Sequence, residues 1–150
     1  MKTLETQTRR QVAPLRRYRE RSIVLGARVV GAGLLAATGL IHLYLYRLGY
    51  RFIPTIGPLF LLNAVVGEAA AVAMLAVPRR WLGWVSLGGT AFQAGTLGAL
   101  LLSLTVGLFG FTETVQAPLI VPTIVVEASG AVVLLAIAWY ELMTRPRRRR

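Results

Sequence analysis

Four stretches of this 150-residue chain are apolar for long enough to cross a bilayer as helices, which takes about 20 residues because each adds only ~1.5 Å of rise. The first runs from Ile23 or Val29 to Tyr46, the second from Leu59 to Val77, the third from Trp81 to Val106, and the fourth from Pro118 or Pro122 to Tyr140. Apolar residues make up 55% of the chain and the mean hydropathy is +0.61, far beyond what the core of a soluble domain of this length requires. The expected fold is therefore an all-α membrane protein, a four-transmembrane-helix bundle. Its organisation reads as a basic leader over 1–28, a transmembrane domain over 29–141 with spans near 29–46, 59–77, 81–106 and 118–140, and a basic tail over 142–150. Pro58 and Pro118 are expected at the first positions of their helices, where a missing N–H costs least.

The net charge of +11 comes from 17 basic and 6 acidic residues, and its placement matters more than its size. Eight basic residues precede residue 29, two more are Arg79 and Arg80 in the turn VPRRW, and five lie in the tail. All fifteen fall on one side of the four-span arrangement, and only Arg47 and Arg51 fall on the other. Basic flanks resist translocation, so both termini are expected in the cytoplasm and the protein in the plasma membrane. The arginines flank apolar runs without interleaved aromatics, which argues against nucleic acid. Anionic lipid is the expected partner instead, with Arg16, Arg17, Arg79, Arg80, Arg147 and Arg148 at headgroups. Trp81, Trp84, Trp139, Tyr140, Tyr44, Tyr46 and Tyr50 fall near span boundaries, where amphipathic rings settle. With no cysteine there is no disulfide, thiolate metal site, redox dithiol or covalent haem attachment.

Polar residues within spans are costly and usually face protein or water. Counted from the span ends opposite the basic loop, His42, Asn63, Ser103 and Thr123 form a layer roughly 5–7 Å deep, and Thr38, Glu68, Gln93 and Glu127 a second roughly 12–19 Å deep. The half nearer the basic loop is almost wholly apolar, as in AAAVAML after Glu68. A through-pore would carry polar lining on both sides, so this pattern points to an outward-facing pocket closed toward the cytoplasm. His42, Asn63 and Thr123 would line its mouth, and Glu68, Glu127 and Gln93 its floor. Helical spacing places Leu35, Thr38, Gly39 and His42 on one face of the first span, with Ser86, Gly89, Gln93, Thr96 and Ser103 on one face of the third. Thr123, Glu127, Gly130, Ala131 and Leu134 share a face of the fourth. The second span conflicts, because Asn63 and Glu68 are about 140° apart around the helix. Each polar residue also has a plainer reading: His42, Asn63 and Gln93 as hydrogen-bonded helix contacts, and the glutamates as neutral acids bonded to a carbonyl, Asn63 or Gln93. The one mid-span Glu in each of the second and fourth spans hints at a duplicated hairpin.

One histidine per chain supplies one axial haem ligand, and no helix carries an i, i+4 ligand pair for a metal. Ser103 and His42 share only a depth. No metal, cofactor or enzymatic activity is expected. The reading is a non-enzymatic accessory subunit or small binding protein, acting as a homo-oligomer or within a larger membrane complex. The alternatives are a proton- or cation-coupled transporter using the carboxylates with His42 as relay, and a redox protein holding haem or quinone near His42.

The stretches TGLIHLYLYRLGYRFIPTIGPLFLLNAVVGEA and TVGLFGFTETVQAPLIVPTIVVEA resemble a group of small four-span integral membrane proteins of high-GC Gram-positive bacteria. The resemblance covers residues 29 to 139 and is most specific in IPTIGPLFLLN and GLFGFTET. It implies topology and origin, and no activity.

Overall fold

A computed structural model describes the backbone of residues 2–143 and the side chains of residues 18 and 20–143. Among the described residues four helices form the bundle, α1 (Lys2–Leu48), α2 (Ile56–Ala76), α3 (Arg79–Thr105) and α4 (Ile120–Met143), with a 3-10 turn at Tyr50–Phe52. All four are long and apolar enough to cross a membrane, the crossing part of α1 being Glu20–Leu48. In hydrocarbon a helix satisfies its own backbone polar groups, and apolar runs of this length leave no other local solution. The protein is thus built as an all-α, multi-pass membrane bundle. Arg147 and Arg148 lie outside the described residues, and Arg16 and Arg17 outside the described side chains.

The helix starts correct the expected proline positions. Pro58 is the third residue of α2, while Pro118 precedes α4 and Pro122 takes the third position there. None of the first four N–H groups of a helix has an intrahelical acceptor, so proline fits the third position as well as the first.

Packing runs in two hairpins, α1 on α2 and α3 on α4, joined mainly through α1 and α4, while α2 and α3 touch only sparsely. Glycines set the α1–α2 approach. A Cβ on Gly67 would stand 2.9 Å from the Gly39 Cα, so these backbones meet directly, the small-residue contact by which membrane helices gain dispersion energy. Below this crossing Leu35, Met74, Leu82 and Leu134, all with 0% exposure, fill the centre. Leu40, Val65, Val72, Trp84, Val125 and Val132 point outward instead, as a lipid-facing surface requires.

Two charged contacts tie the end of the bundle where α2 finishes and α3 starts. Arg28 Nη1 donates to the carbonyls of Met74 (3.4 Å) and Leu75 (2.9 Å), meeting orphan acceptors and the negative pole at the α2 C-terminus. Arg79 Nε donates to both carboxylate oxygens of Glu141 at 3.2 Å. Arg79 is thereby held to α4 while remaining exposed, as Arg80 is.

Candidate functional site

The opposite end of the bundle encloses a cavity of about 480 Å³. It is built on a repeated helix entry. Pro54-Thr55-Ile56-Gly57-Pro58 and Pro118-Leu119-Ile120-Val121-Pro122 share the pattern P-x-I-x-P, and in both the second residue takes a left-handed φ, 66° at Thr55 and 63° at Leu119. Both helices begin at the following isoleucine. Thr55 O accepts from Leu59 N and Leu119 O from Thr123 N, at 3.2 and 2.8 Å. Ile56, Leu59 and Asn63 of α2 and Ile120, Thr123 and Glu127 of α4, spaced alike along their helices, then line the cavity. In this register Glu127 matches Asn63 and not Glu68, so the two mid-span glutamates that hint at a duplicated hairpin are not equivalent positions.

His42 and Glu127 lie deep in the lining. His42 Nδ1 is 2.9 Å from Thr38 O; a carbonyl only accepts, so Nδ1 carries the proton and Nε2 presents its lone pair in the neutral ring. Nε2 lies 3.9 Å from Glu127 Oε1, which is ion-pair range but beyond a hydrogen bond. Both Glu127 oxygens are buried without a hydrogen-bond partner. The Thr96 hydroxyl lies beside Glu127 but is within 3.1 Å of the carbonyls of Phe92 and Gln93, to which it donates.

The loop between α3 and α4 lines the same cavity. Leu108 and Phe111 exchange backbone hydrogen bonds of 2.7 and 2.9 Å across Phe109 (φ 51°) and Gly110 (φ 79°), a tight hairpin turn with both central residues left-handed. Glu113 N donates to Ser103 O at 2.9 Å, fastening the loop to the end of α3. Phe111 and Glu113 are thereby brought to Tyr50. The Tyr50 hydroxyl donates to Glu113 Oε2 at 2.5 Å, and its ring stacks on Phe60 at 4.6 Å and meets Phe111 edge-on at 6.0 Å. Burial, reinforced by the Glu113 bond and charge, pushes the Tyr50 phenol well above its ordinary range.

Of the residues expected in a pocket, His42, Asn63, Thr123 and Glu127 line this cavity. Glu68 does not: it lies on the exposed side of α2, its Oε1 close to Gly39. Gln93 does not line it either. Its amide accepts from Thr38 Oγ1 (2.9 Å), donates to Leu34 O (3.4 Å), and fills the space a side chain at Gly130 would occupy. It fastens α3 between α1 and α4. Tyr50, Phe60, Phe111 and Glu113 were not singled out as site residues, although Tyr50 had an interfacial place and GLFGFTET stood out as a distinctive loop. Their part depends on how two loops fold toward each other. No protein-family model matches the sequence, and neither the curated proteins nor the solved structures searched contain a match.

Proposed function

We propose that the protein is a non-enzymatic plasma-membrane binding protein, with both termini in the cytoplasm, whose outward-facing cavity takes a small and mainly apolar molecule. The carrying observation is the buried Glu127 carboxyl, which lacks a hydrogen-bond partner and stands beside His42 in a cavity of ligand size. Ligand pockets of roughly 300–1,000 Å³ have this character, apolar walls with a few convergent polar groups. Supporting a binding rather than a catalytic role, the Ser103 hydroxyl donates to Leu100 O at 2.8 Å and not to His42. The packed layer of Leu35, Met74, Leu82 and Leu134 favours binding over passage across the membrane.

Access between α2 and α3 suits a ligand dissolved in the bilayer. Ala91 and Gly95 of α3 line the cavity and are exposed, and a Cβ on Gly95 would meet nothing within 4 Å. The exposed arginines Arg79 and Arg80 would hold the cytoplasmic face at anionic lipid.

The test is mass spectrometry of small molecules retained by the protein after mild extraction, wild type against Gly95→Trp. A bound species is expected in the wild type and lost from the variant, with the thermal midpoint of unfolding little changed. Identical retention in both proteins would overturn the reading.

A further inference from the structure

We propose that the ligand is a lipophilic ammonium, an apolar body carrying a protonated amine whose N–H groups bond to Glu127 and His42. This rests on the cavity being a binding site, and it follows from counting donors and acceptors along the wall.

Nearly every polar group there presents lone pairs. The Glu127 oxygens are unpartnered. With Nδ1–H committed to Thr38 O, His42 offers Nε2 as an acceptor beside them. The wall hydroxyls have already spent their single proton: Thr96 donates to the carbonyls of Phe92 and Gln93, Ser103 to Leu100 and Thr123 to Leu119. Each leaves only its oxygen lone pairs to the cavity. Tyr50 donates to Glu113, whose other oxygen accepts from Thr114 N. At the start of α4 the Ile120 and Thr123 N–H groups are taken by Ala117 and Leu119. With Glu127 ionised, as an ammonium partner requires, the Asn63 side-chain amide is the one donor left among the lining side chains.

Two carboxyl groups line the cavity and no Lys or Arg does. An anion or a ligand rich in acceptors would find little to bond. An ammonium supplies both the charge and the donors that Glu127 and His42 lack, in a low-dielectric site where a charge-assisted hydrogen bond is strong. The aromatic rings of Tyr50, Phe60 and Phe111 line the same cavity, and aromatic faces attract cations as well as apolar bodies.

Phenylbutylamine, phenylbutanol and phenylbutyrate share one apolar body and differ in the head. Saturable binding of each is measured by equilibrium dialysis against the full chain in phosphatidylcholine nanodiscs, with empty discs subtracted. The amine is expected to bind at least about tenfold tighter than the alcohol, and the carboxylate not measurably. In Glu127→Gln the amine should weaken about tenfold or more while the alcohol changes less than about threefold.

Equal binding of amine and carboxylate, or amine affinity untouched in Glu127→Gln, would overturn the cationic ligand and leave the cavity reading standing on the alcohol. If none of the three binds, both readings fall together. Should Glu127→Gln not fold, the order of the three heads on the wild-type protein still decides the proposal.

Discussion

Glu127 is 1% exposed, and both its oxygens lack a hydrogen-bond partner, a state that costs free energy in any buried polar group. Replacing it with leucine removes that cost and keeps an apolar body of similar size. Glu127→Leu is therefore expected to raise the stability of the ligand-free protein by about 1–3 kcal/mol, read as a higher thermal unfolding midpoint in detergent. A lower midpoint would mean that the carboxyl supports the fold. Stability of this kind is commonly forgone at sites kept for function. Tyr50 behaves differently, because its hydroxyl is satisfied. Its phenol is held protonated above the ordinary tyrosine value of about 10 by burial and by Glu113. The folded state then keeps a proton that the unfolded state loses, so this contribution is present below about pH 10 and disappears as pH rises beyond it. Absorbance titration of wild type against Tyr50→Phe should show the missing phenolate component above pH ~10; a component at or below that value would contradict the geometry.

Among the elements, the α1–α2 crossing has least room to adjust, since a side chain on Gly67 would meet the Gly39 backbone within 3.0 Å. Backbone yields less readily than a flexible side chain. Gly67→Leu should separate α1 from α2 and cost at least about 1–3 kcal/mol, seen as a fall in unfolding midpoint. Gly88→Leu, where an added Cβ meets nothing within 4 Å, is the control that should stay near wild type. The faces of α1, α3 and α4 were legible from helical spacing: Leu35, Thr38, Gly39 and His42, then Ser86, Gly89, Gln93, Thr96 and Ser103, then Thr123, Glu127, Gly130 and Leu134, are all buried, Ala131 of that last set being half-buried. A single helix carries that information in its own period. For α2 the spacing stated the conflict between Asn63 and Glu68 without deciding it. The contact of Gly39 with Gly67 decides the rotation, leaving Asn63 half-buried at the cavity and Glu68 exposed.

On the scale of the whole molecule the ends of the bundle differ in kind. At one end Arg28 caps the α2 C-terminus and Arg79 pairs with Glu141, next to a core of Leu35, Met74, Leu82 and Leu134. At the other the two P-x-I-x-P entries and the 106–119 loop surround the cavity. The excess of Lys and Arg belongs to the first end, so a reporter fused to the C-terminus is expected to behave as cytoplasmic: a fluorescent protein bright, alkaline phosphatase inactive. Active phosphatase at that position would place the cavity in the inner leaflet instead.

The sequence by itself determined the four apolar spans, the order of polar side chains along each and the charge difference between the two ends. Each of these is summed along one segment and needs no knowledge of its neighbours. Only the tertiary structure decided which of those side chains meet. It turned Glu68 outward, locked Gln93 between α1 and α4, and brought Tyr50, Phe111 and Glu113 into one cavity with His42 and Glu127. Direction around a helix axis is set where backbones touch, and closure of a loop by contacts from distant parts of the chain; neither is encoded in the hydropathy of any one stretch.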